Sequence, residues 1–102
     1  MEPVALDDLR AFASGRDGQT FVTRFRARRF SLRVPQEGFE YTPEYSGTPR
    51  MQQWRWIERI PNRFNETQSP HPADYRDITV NASYILSILG AYLDSLLAAA
   101  QA

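Results

Sequence analysis

Apolar residues recur at helical spacing over residues 78–98. Ile78, Ala82, Ile85, Leu86, Leu89, Tyr92, Leu93, Leu96 and Leu97 fall on one broad stripe. The run predicts a helix of about 30 Å, capped at Asp77 or Thr79. Its other face carries Ser83, Ser87, Gly90, Ala91, Asp94, Ser95 and Ala98, all small, with Asp94 the only charge. A solvent-facing helix normally shows long charged side chains there. The pattern therefore makes this helix the spine of the core, with a second surface packed against its small side. Ser83, Ser87, Ala91 and Ser95 repeat every four residues, which permits close backbone approach. The expected occupant is either the first helix of the chain or the same helix of a second subunit. Those four residues are accordingly candidate oligomer contacts, and a homodimer is a candidate state.

The rest of the chain reads in order as one helix, three strands and another helix. Residues 3–13 carry Pro3 at a helix start, Asp7 and Asp8 near the positive end and Gly15 after the last turn. Residues 19–27 alternate, with Phe21, Thr23, Phe25 and Ala27 on one face and Val22, Arg24 and Arg26 on the other. Residues 30–34 alternate in the opposite phase. A two-residue hairpin loop near Arg28 accounts for the swap, although Gly or Asn, which such loops favour, is missing there and a longer loop would serve as well. Pro35-Gln36-Glu37-Gly38 is a turn, and residues 39–42 form a third strand with Phe39 and Tyr41 inward. Thr48-Pro49 then reads as a helix cap and first helical residue, predicting a helix over residues 49–60 that Pro61 ends or kinks. Trp54, Trp56, Glu58 and Ile60 also alternate, so a strand is the rival reading. On a helix the two tryptophans point apart, and one must face outward. Residues 65–74 read as an extended loop.

The fold class that follows is α+β: a three-stranded antiparallel meander packed on one face by about three helices, in the order αβββαα, with the C-terminal helix central. The order of the first five elements is similar to that of a double-stranded-RNA-binding domain, with the basic cluster at the helix start reduced to Arg50. A single domain over residues 1–102 is expected from the length.

Composition narrows the chemistry. There is no Cys, which excludes disulfides and thiolate metal sites. The single His, His71, lies between two prolines with no carboxylate cluster around it, so neither a metal site nor His-dependent nucleophilic catalysis is expected. The glycines match no phosphate-binding loop, and no cofactor is expected. Glu37, Glu40 and Glu44, or Asp74 and Asp77, are the remaining candidates for acid–base work. Their structural reading is stronger: Glu40 faces Arg33 across the strands and Asp77 caps a helix. The N-terminal residues show no secretory leader, and the polar positions of the spine argue against a membrane span. A cytoplasmic protein is expected.

Net charge is zero, yet all twelve basic residues are Arg, as a GC-rich bacterial or phage genome would favour. No acidic residue occurs between Asp17 and Glu37, where Arg24, Arg26, Arg28, Arg29 and Arg33 all fall. Placed on the outer sheet face, these arginines form a polyanion-binding surface, extended by a helical row of Arg55, Arg59 and Arg63 and by Trp56 for stacking. The expected function is a non-enzymatic binding module for an acidic partner, nucleic acid or acidic protein. The alternative is an interaction domain that self-associates through its last helix.

Overall fold

The computed structural model describes residues 2–101. The elements are α1 (Leu6–Ser14), β1 (Thr20–Val22), β2 (Arg29–Arg33), β3 (Gly38–Pro43), β4 (Arg50–Gln53), α2 (Trp54–Ile57), α3 (Arg59–Thr67) and α4 (Ala82–Gln101), with a 3-10 turn at Pro72–Tyr75 before α4. The class is α+β with an antiparallel sheet and a long C-terminal helix. The sheet, however, has four strands, in the order β1-β2-β3-β4.

The period-2 pattern sets the sheet. Phe30 and Leu32 of β2 and Phe39 and Tyr41 of β3 point to one side and are completely buried. The register places Leu32 opposite Tyr41 and Arg33 opposite Glu40. Helices cover that inner side. Leu9 and Ala13 of α1, Ile57 of α2, Ile60 and Phe64 of α3, and Ile85, Ile88 and Leu89 of α4 close the core. The outer side, with Arg29, Arg33, Glu40, Thr42 and Met51, is left uncovered by any helix.

The fourth strand replaces the start of the helix expected over residues 49–60. It carries no apolar alternation because its inward residues are polar and hydrogen-bonded. Arg50 Nη1 donates to Asn81 Oδ1 at 3.2 Å, and the Thr79 hydroxyl donates to Gln52 Oε1 at 2.8 Å. An edge strand with one ladder tolerates this. β4 interrupts the order of elements that likened the chain to a double-stranded-RNA-binding domain, and it puts Arg50 on a strand instead of at a helix start. Gly38 fits because β4 passes so close that a Cβ there would sit 1.9 Å from the Gln52 carbonyl oxygen.

The helix then begins at Trp54 and breaks at Glu58. Pro61 has no N–H to offer the Ile57 carbonyl, and its ring crowds that group. The chain restarts as α3, where Pro61 lies in the first turn and costs no further bond. Pro61 thus neither ends the helical region nor leaves residues 65–67 in a loop, since α3 runs to Thr67. Trp54 and Trp56 do point apart. Trp54 packs edge-on to Phe39 at 5.1 Å and donates from Nε1 to the Gln36 carbonyl, whereas Trp56 lies between the guanidiniums of Arg55 and Arg59.

Two further boundaries move. α1 starts at Leu6, after an extended segment in which the Asn65 side chain both accepts from the Val4 N–H and donates to the Val4 carbonyl. α4 starts at Ala82, four residues later than its apolar stripe suggested. Thr79 Oγ1 accepts from the Asn81 N–H, holding residues 79–81 in a turn. Asp77 is not a cap here. It pairs with Arg63 of α3, Nη2 to Oδ2 at 2.8 Å.

Candidate functional site

The β1–β2 connection decides where the arginines go. β1 ends at Val22, which pairs with Arg29, and the two-residue loop near Arg28 does not form. The connection is closed instead by Thr23 and Arg28. The Thr23 N–H donates to the Arg28 carbonyl, the Ala27 N–H donates to the Thr23 carbonyl, and the Arg28 N–H donates to the buried Thr23 hydroxyl at 3.0 Å. Ala27 turns the chain back with a φ of 50°. Arg24, Phe25 and Arg26 therefore leave the sheet as a loop, and no two arginines face each other across the strands.

That loop folds over the small side of α4. Arg24 lies across Gly90, where a Cβ would stand 2.7 Å from Arg24 Nε, and its Nη2 pairs with Asp94 Oδ2 at 3.1 Å. Phe25 stacks obliquely on His71, with ring centroids 5.4 Å apart. The near surface expected along the spine is thus the chain's own β1–β2 loop. α1 packs on a different side of the helix, through Phe12 and Tyr92 at 5.5 Å.

Because Ser83 and Ser87 are small, the β1–β2 loop, the connection between α3 and α4 and the helix itself enclose a cleft of about 660 Å³. Its floor includes Phe64, Leu86, Leu89 and Leu93, and its rim carries Arg24, Arg26, Arg28, Arg50 and Arg76. Asp94 is the only carboxylate among the lining residues, and Arg24 already holds it. Arg28 and Arg50 converge on Tyr45. Arg28 lies over the ring at 4.8 Å, and Arg50 Nη2 donates to the hydroxyl at 3.1 Å. Neither has a carboxylate partner among the described residues. Arg50 also approaches the Tyr84 ring, and burial pushes the Tyr84 phenol up. Tyr84 in turn stacks on Tyr41 at 4.8 Å, linking the cleft wall to the sheet core.

The arginines singled out from sequence fall into three places. Arg24, Arg26 and Arg28 line the cleft. Arg29 and Arg33 lie on the outer sheet face, where Arg33 Nε approaches Asp17 Oδ1 at 3.4 Å. Arg55 and Arg59 clasp Trp56, away from the cleft, and Arg63 is taken up by Asp77. Arg76 was missed, and Arg50 was counted only as a helix-start residue. Nothing local marks either one, since both arrive by tertiary folding. Of the four small residues on the spine, Ser83 and Ser87 line the cleft, while Ala91 and Ser95 lie off it. Among the described residues no group of three or more His, Asp or Glu side chains is placed to hold a metal. Comparison with family models, curated proteins and solved structures returns no match to the chain.

Proposed function

We propose that this chain is a non-enzymatic module that binds an acidic partner, and that it does so in the cleft between the β1–β2 loop and α4. The observation that supports the reading is the charge around that cleft: five arginines against one carboxylate. In a chain of zero net charge such a concentration is local. An apolar floor under it strengthens the field felt by an entering anion. Arginine suits the role, because its planar fork pairs with carboxylate or phosphate through two parallel bonds.

The test is a titration with single-stranded DNA, RNA and an acidic peptide at two salt concentrations. Binding should weaken with salt as cation–phosphate or cation–carboxylate contacts are screened. Replacing Arg26, Arg28 and Arg76 together by Ala should lower affinity at least tenfold. The outer-face pair Arg29→Ala/Arg33→Ala should leave it within about twofold, as expected of a rim or solvated charge. The reverse ranking would return the site to the sheet face.

A second reading, self-association through α4, is supported by the end of that helix, where Leu96 and Leu97 are 48% and 62% exposed. Light scattering across a concentration series tests it. A constant monomer mass removes it.

A further inference from the structure

We infer that the ligand of this cleft is a single-chain amphipathic anion, held head-first at Arg28 and Arg50 with its apolar tail along α4. The inference rests on the binding reading above and names the class of ligand.

Size comes first. A volume of about 660 Å³ is that of a small-molecule pocket. A nucleic acid is held instead across a broad area of protein surface, on the order of 1,000 Å². Shape comes second. The lining runs along α4 from Ala82 to Leu97, which at the helical rise is about 22 Å. Spread over that length, the cleft is about one chain wide.

Polarity supplies the orientation. At the N-terminal end of α4 stand Arg28 and Arg50, flanking Tyr45 and without carboxylate partners among the described residues. That end also receives the positive end of a 20-residue helix. Towards the other end the helix offers Leu93 and Leu97. The only lining carboxylate, Asp94, belongs to this far end, where Arg24 neutralises it and the pair adds no net charge. A ligand charged along its whole length would set anionic groups against leucines and an ion pair that is already closed. One with a charged head and an apolar tail matches both ends.

The experiment is calorimetric titration of butanoate, octanoate and dodecanoate, each below its micelle concentration, alongside inorganic phosphate, a single-stranded oligonucleotide and vesicles of anionic phospholipid. Affinity should rise about fourfold per added methylene until the tail fills the cleft. Arg28→Gln should weaken every carboxylate by about tenfold or more, the loss of a charge-assisted bond. Leu97→Glu should weaken dodecanoate and leave butanoate unchanged. Both side chains are exposed, so both variants should fold. Oligonucleotide or phosphate binding with no dependence on chain length would overturn the head-and-tail inference and leave the acidic-partner reading standing. Binding to vesicles but to no monomeric carboxylate would overturn it in favour of a membrane surface. Binding of no anion at all would overturn both.

Discussion

Single side chains explain much of this molecule, and two give sharp tests. Gly38 exists to let β4 pass, since any Cβ would collide with backbone at 1.9 Å and backbone cannot swing away. Gly38→Ala should therefore destabilise the protein by about 1–3 kcal/mol in chemical denaturation, the usual cost of overpacking. Tyr41 is the contrary case. Its hydroxyl is buried without a hydrogen-bond partner among the described residues, and that burial pushes the phenol well above its usual range. An unpaired buried polar atom costs about 1–3 kcal/mol, so Tyr41→Phe should unfold at equal or higher denaturant concentration. A clear loss of stability would mean that the hydroxyl is paired in solution. At this scale the sequence was informative wherever one residue type has one use. The inward Phe39 and Tyr41 and the divergence of Trp54 and Trp56 were all legible. The bond from Thr23 to Arg28 that closes the loop was not, because nothing in the local pattern requires it.

At the scale of elements, the long C-terminal helix and the small face on it were readable from periodicity alone. What failed was anything that depends on neighbours. β4 was hidden because Arg50 and Gln52 satisfy its inner face with hydrogen bonds instead of apolar burial. The arginine run was visible as a run, but strand and loop differ here by a single turn, and the turn decides which surface it reaches. The absence of Gly or Asn near Arg28 was the one available hint that the loop would be longer. A further prediction belongs to the joint between elements. Arg63 of α3 pairs with Asp77 in the turn that leads to α4. The hydrogen bond from Arg63 holds the Asp77 carboxyl below its usual range. A carboxylate with a lowered folded value stabilises the native state above its unfolded value, about 3.9, and that stabilisation is lost as pH falls through the folded value. The wild type should thus exceed Asp77→Asn by a constant denaturant midpoint at neutral pH. That gap should close on acidification below about pH 4. A gap that persists unchanged in acid would show that the pair contributes nothing ionic.

For the molecule as a whole, two features that looked separate in the sequence turn out to line one cleft. The small face of the spine helix provides the space, and the arginine loop provides the rim. Neither the sheet's outer face nor the helical arginines beside Trp56 share in it. The most direct test is amide chemical-shift mapping by NMR during titration with dodecanoate. The largest changes should fall on residues 23–28 and on the stretch of α4 from Ser83 to Leu97, with Arg29, Arg33 and Met51 unmoved. Shifts concentrated on the outer sheet face, with the loop and α4 silent, would contradict this placement.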